Sequence, residues 1–129
     1  MPPVVYLSVA DILQAAEQAL GFLPEVRDLH LLESAARRPR LRAFGTEAYP
    51  SLMDKAAALL HSIAAHHLFW DGNKRSATQA VALFLRRNGC QPTWTAQEAY
   101  DFVLEVAQGQ HDVNTIAAWL SQHSAPLED

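Results

Sequence analysis

Cysteine is almost missing from this chain. Cys90 stands alone among 129 residues, so no disulfide can form within the chain, and a reducing compartment is favoured. Five glycines and seven prolines are too few for a low-complexity linker or a collagen-like repeat. No apolar run approaches the roughly 20 residues that a membrane-spanning helix requires. Met1-Pro2-Pro3 carries no basic residue ahead of the first apolar stretch, which is unlike a secretory signal. Cationic residues are outnumbered, with 10 Lys and Arg against 14 Asp and Glu and a formal charge of −4. Duplex binding relies on clustered cations that displace counterions from phosphates, so a general nucleic-acid binder is disfavoured. Together these absences predict a cytoplasmic protein with no membrane span and no direct nucleic-acid contact.

What is present is apolar: half the residues are hydrophobic, enough at this length for one domain, 1–129, around a single core. The charge is unevenly placed. Arg87 is the last Lys or Arg, and beyond it lie Glu98, Asp101, Glu105, Asp112, Glu128 and Asp129. Upstream, Arg37-Arg38-Pro39-Arg40-Leu41-Arg42 is a dense basic run that could attract an anion or an acidic partner; a solvated loop is the simpler reading.

Helical signals dominate. Ser8-Val9-Ala10-Asp11 has the form of a capping box, after which Val9, Ile12, Leu13, Ala16 and Leu20 share one face until Gly21. Asp28 precedes a short helical segment carrying Leu29, Leu31, Leu32, Ala35 and Ala36, which the Pro39 stretch interrupts. Residues 40–50 show no sustained period and predict a loop or flap. Ser51-Leu52-Met53-Asp54 opens a stronger helix whose stripe of Leu52, Ala56, Leu59, Leu60 and Ile63 extends to His67. His61, His66 and His67 then point in three directions, which argues against a zinc site built from them, because such a site needs two His at i and i+4 on one face.

A helix from Asn73 through Ala77, Ala80, Val81, Phe84 and Leu85 to Asn88-Gly89 is apolar around most of its circumference and is expected to be central. Residues 90–94 read as extended. Thr95-Ala96-Gln97-Glu98 is a third capping box, and Asp112 caps a last helix with Val113, Ile116, Ala117 and Leu120 inward; the tail from Ser124 is expected to fray. The fold class is therefore all-α, a compact helical bundle around a buried central helix.

Chemistry concentrates at His67-Leu68-Phe69-Trp70-Asp71-Gly72-Asn73-Lys74-Arg75. The free N–H groups and positive dipole end of a helix start attract an anion, and Asn73, Lys74 and Arg75 add donors there. Gly72 allows the backbone to bend close. Asp71 is a hard oxygen ligand placed where magnesium could bridge protein and phosphate. His67, on the apolar stripe at a helix end, could be held neutral and ready to accept a proton from a hydroxyl. Each of these residues alone has an ordinary structural explanation; no packing requirement calls for all of them within nine residues. Phe69 is assigned structural work, as a peg fixing the turn into the core.

At these positions the sequence resembles the Doc (death-on-curing) branch of the Fic superfamily, whose signature H-x-F-x-D-x-N-K-R is matched at every fixed position by residues 67–75. Arg27-Asp28-Leu29, Leu32-Glu33-Ser34-Ala35, Arg38-Pro39, Ala82-Leu83-Phe84-Leu85 and Asn88-Gly89 have the same flavour, so the resemblance spans nearly the whole chain. It implies a compact helical Fic/Doc-like domain that uses ATP and Mg2+ to modify a protein hydroxyl, with His67 as general base, Asp71 on the metal, and Gly72, Asn73, Lys74 and Arg75 on the nucleotide. It also implies a toxin paired with a Phd-like antitoxin, a translation elongation factor as target, and a flap at about 37–50 that aligns the target, with Arg38 and Arg42 as candidate contacts. The commoner Fic motif H-P-F-x-[DE]-G-N-G-R-x-x-R transfers AMP. Here Lys74 replaces its second Gly and Thr78 its second Arg, and both departures favour transfer of the γ-phosphate to Ser or Thr. AMP transfer, a catalytically silent antitoxin-binding module and a nucleic-acid-binding toxin are the competing readings.

Overall fold

A computed structural model describes residues 3–127; Met1, Pro2, Glu128 and Asp129, where part of the N-terminal and acidic-tail readings fall, lie outside the described residues. Six helices form the body: α1 (Val9–Leu20), α2 (Leu29–Arg37), α3 (Leu52–Ala65), α4 (Asn73–Arg87), α5 (Ala96–Ala107) and α6 (Val113–Gln122). Their starts follow local chemistry. Ser8, Ser51 and Thr95 each accept from the N3 backbone N–H while Asp11, Asp54 and Glu98 reach back, closing three capping boxes; Asp28 and Asp112 cap α2 and α6. Each such cap contributes about 1 kcal/mol. The Ser8 and Thr95 backbone N–H groups hold the Asp11 and Glu98 carboxyls below the ordinary carboxylate range, and Thr115 does the same for Asp112.

The core is one cluster running through all six helices. As its apolar circumference implied, α4 is enclosed, packing on α1, α3 and α5. It shares the centre with α3, which also meets α2, α5 and α6 and is buried along nearly its whole length. Ala56, Ala57, Ala58 and Ala64 supply the small side chains on α3; with little to hold neighbours away, helices can approach from several sides.

Two strand pairs form among the described residues; the strand within 90–94 was expected to be extended, and the other strands lie where irregular or frayed chain was expected. Arg42–Ala43 (β1) and Thr46–Glu47 (β2) form an antiparallel hairpin within the flap, turning through Phe44 and Gly45 at φ 53° and 81°. Two successive positive φ values are what a two-residue hairpin turn demands. The start of the expected flap is helical instead: Arg37 closes α2, and Arg38–Arg40 form a short 3-10 turn. Ser124–Pro126 (β4) does not fray; it pairs antiparallel with Cys90–Pro92 (β3). Thr93 donates to the His123 carbonyl at 2.8 Å and Leu127 to Gly89 at 2.9 Å, partners too distant in sequence for a period to reveal. Asn88 ties the other end of the chain to the same place, its side chain accepting from Val5 N–H at 2.8 Å and donating to the Val5 carbonyl at 2.9 Å.

The basic run is dispersed by folding. Arg37 lies 4.0 Å from Glu33, Arg40 covers the Tyr6 ring at 4.5 Å, and Arg42 donates to the Gly45 carbonyl at 2.7 Å. Arg38 turns inward to Tyr49 Oη, His61 Nδ1 and Ser62 Oγ at 2.8, 2.8 and 3.0 Å. Arg38 and Arg42 thus have partners within the flap and its base, while Arg37, Arg40 and Arg42 remain exposed. Lys55, 1% exposed, holds the flap from below through the carbonyls of Tyr49 and Pro50 and an ion pair to Glu47 at 3.2 Å.

Candidate active site

Residues 66–75 form the turn between the two central helices, and three separate devices fix it. From the core side, Leu68 and Phe69 are fully buried. From the chain ahead of α2, Val26 bridges to Phe69: Arg27 N–H donates to the Leu68 carbonyl at 2.8 Å, and Trp70 N–H to Glu25 at 3.3 Å. That pairing uses the backbone groups on either side of Phe69 and leaves its own N–H and C=O facing inward. The third device answers them. Asn73 Oδ1 accepts from Phe69 N–H at 2.9 Å, and its Nδ2 donates to the Phe69 carbonyl at 2.8 Å. The Asn73 amide, offered to phosphate by the sequence reading, is thereby spent on holding the turn.

Gly72 is the N-cap of α4 at φ 81° and ψ 14°, without a side-chain cap. A Cβ there would stand 2.5 Å from Leu20 Cδ1, at the end of α1, so glycine satisfies both the left-handed backbone and the close approach. Its N–H is also engaged, donating to Asp71 Oδ1 at 2.7 Å. The free donors of the helix start are accordingly the N–H groups of Asn73, Lys74 and Arg75, because the first helical bond runs from Ser76 N–H to the Gly72 carbonyl.

Asp71 through Arg75 share one wall of a cleft of about 590 Å³, with Lys74 and Arg75 exposed. Opposite them α5 contributes Ala99, Tyr100 and Val103, and Trp94 and Ala96 close the same side. The sequence offered no signal placing Trp94 or Gln79 here, and Thr78 stood out only as the residue in place of the Fic motif's second Arg. Tyr100 carried a signal, since it is a large aromatic outside the stripe of Ala99, Phe102, Val103 and Val106; it is 59% exposed. A helix N-terminus with two cations on one wall and two aromatic rings on the other can take a ligand that is anionic at one end and flat at the other.

His67 does not line this cleft. α3 ends at Ala65, His66 is its C-cap, and His67 occupies the left-handed region at φ 52°, exposed rather than on the α3 apolar stripe. The stripe breaks because the chain must reverse into the turn, and a left-handed residue after the C-cap is the usual way to do so. His61 and His66 do not diverge as expected; their rings meet edge to face at 5.3 Å. Burial holds both below the ordinary histidine range, and the Arg38 guanidinium lowers them further. Among the described residues no three His, Cys, Asp or Glu side chains cluster as a metal-binding group.

A family model described as "Fic/DOC family" matches residues 6–85, which hold the turn, the flap, α3 and all but the last two residues of α4. The chain belongs to the Fic/DOC family. Within that family, this Fic/DOC protein is 43% identical over 125 residues to a protein of Mycolicibacterium smegmatis named Toxin Doc, an alignment covering 95% of this chain and 96% of that one. It is 34% identical over 97 residues to a protein of Escherichia phage P1 named Protein kinase doc, covering 75% of each. No helix among the described residues of this Fic/DOC protein is long and apolar enough to cross a membrane.

Proposed function

We propose that this chain is a Doc-type protein phosphotransferase, the toxin half of a toxin–antitoxin pair, moving the γ-phosphate of ATP to a Ser or Thr hydroxyl of a target protein. The observation that carries the reading is the cationic wall at the start of α4, where Lys74 and Arg75 stand exposed beside the free N–H groups of Asn73, Lys74 and Arg75. The names of the relatives, one a toxin and one a protein kinase, support it.

His67 is exposed and free of the cleft, where a protein hydroxyl can approach from solvent. It takes the hydroxyl proton as the oxygen bonds to the γ-phosphorus and the bond to the β-phosphate oxygen breaks, releasing ADP. Lys74, Arg75 and the three N–H groups bind the phosphates and offset the charge that develops on them. The side chain of Asn73 acts indirectly, by fixing the turn. Asp71 suits magnesium: one carboxylate oxygen caps Gly72 and the other remains available, and magnesium takes one or two protein carboxylates with the rest of its shell from water and phosphate. When bound, the ion would neutralise phosphate charge. The resemblance points to a translation elongation factor as the target and a Phd-like antitoxin as the partner.

The decisive assay incubates the protein with a purified elongation factor, magnesium and ATP labelled at either the α or the γ position. Label should pass from the γ position only, and His67→Ala should abolish it while the fold survives. Transfer from the α position would replace this reading with AMP transfer.

A further inference from the structure

Arg27 lies 40 residues before His67, and its side chain ends on the backbone of the turn. Its Nε–H donates to the His67 carbonyl at 2.6 Å and its Nη2 to the His66 carbonyl at 3.1 Å, while the backbone N–H groups of Arg27 and Asp28 donate to the Leu68 carbonyl at 2.8 and 3.4 Å. Three successive carbonyls at the end of α3 are thus received by one residue and its neighbour. These carbonyls lie just beyond the C-terminal end of α3, where the chain reverses into the turn. Among the described residues Arg27 has no carboxylate within ion-pair distance; its charge is directed at the turn. Nor does it line the cleft.

Among the described residues His67 is one of two non-glycine residues at positive φ. A left-handed conformation is unfavourable for a residue with a Cβ and persists only where its surroundings impose it. Arg27 grips the carbonyls on both sides of the His67 N–Cα–C unit, fixing the two peptide planes that set the direction of its Cβ. We propose that Arg27 is a positioning residue for His67: its planar fork holds that backbone left-handed, and so aims the imidazole at the incoming hydroxyl. A lysine could place a charge nearby without meeting two carbonyls at a fixed angle. The proposal rests on His67 acting as the base, as read above.

The test compares Arg27→Gln and Arg27→Lys with the parent protein by kinetics and by NMR. With γ-labelled ATP and the elongation factor, kcat should fall between about tenfold and a hundredfold in Arg27→Gln, the size expected when a reacting group is displaced by about 1 Å. KM for ATP should stay within about twofold, and Arg27→Lys should recover only part of kcat. Independently of activity, the Cα and Hα shifts of His67 should leave their left-handed values in Arg27→Gln while the signals of α5 and α6 stay in place. Unchanged kcat, or a rise in KM for ATP alone, overturns the proposal, the latter by making Arg27 a phosphate ligand. His67 shifts that stay left-handed in Arg27→Gln overturn it as well, as does loss of the whole fold in both variants. If the parent protein transfers no phosphate, the functional reading fails, and the NMR comparison still decides whether Arg27 sets the His67 backbone.

Discussion

Removing the Asn73 amide should cost more stability than its place at a helix start suggests. Phe69 is fully buried, and its N–H and C=O have Asn73 as their partner, at 2.9 and 2.8 Å. Asn73→Ala strands one donor and one acceptor, each at about 1–3 kcal/mol. Alanine returns up to about 0.7 kcal/mol in helix propensity, leaving a net loss of roughly 1–5 kcal/mol. Urea unfolding followed by circular dichroism should show a lower midpoint with an unchanged slope. Asn73→Asp sharpens the test. Its carboxylate can still accept from Phe69 N–H but faces the Phe69 carbonyl with no proton to offer, so burial and that carbonyl should raise the folded-state pKa of the new carboxyl. The stability it contributes is then complete below the unfolded-state pKa and is lost as pH rises through the folded one. A loss under about 0.5 kcal/mol for Asn73→Ala, or Asn73→Asp stability that increases over that pH interval, would refute the proposed locking of the turn.

Gly72→Ala should lose about 1–2 kcal/mol to its left-handed backbone and more to the Leu20 contact; adding Leu20→Ala should relieve only the contact part, which a double-mutant cycle in urea separates. His61 and His66 have folded-state pKa values below their unfolded ones. Their contribution is therefore present above the ordinary histidine range and lost as pH falls through the lowered values, so Tm should drop on acidification, and less steeply in a His61→Gln, His66→Gln double variant. Lys55→Met leaves the Tyr49 and Pro50 carbonyls without their cation; hydrogen exchange should quicken across residues 41–50 and stay unchanged in α5 and α6.

The helices were legible because their signals are local. A Ser or Thr with an acid three residues on marks a start within one turn, and an apolar stripe records which face is buried. The concentration of polar residues at 67–75 was visible for the same reason, but not that the Asn73 amide turns onto Phe69 or that His67 leaves the α3 stripe. The features that were not legible depend on contacts distant along the chain: β4 meeting β3, Arg27 reaching the end of α3, Trp94 and Tyr100 brought opposite Lys74. Asn73 shows a different limit. Its type and position suit a phosphate donor and a turn lock equally, and the choice is made by Val26, whose bridge to Phe69 leaves that residue's polar groups for Asn73 to fill.

The grip of Asn88 on Val5, and of Gly89 on Leu127, gathers both ends of the described chain at the tail of α4. That helix has 15 residues, so the gathering point stands about 22 Å from the start that carries Lys74 and Arg75. Labels, tethers or fused domains joined at either side would emerge away from the start of α4 and the cleft beside it. A short linker joining the two ends, with new ends opened elsewhere, would leave the turn at 66–75 covalently intact, making this scaffold a natural candidate for circular permutation.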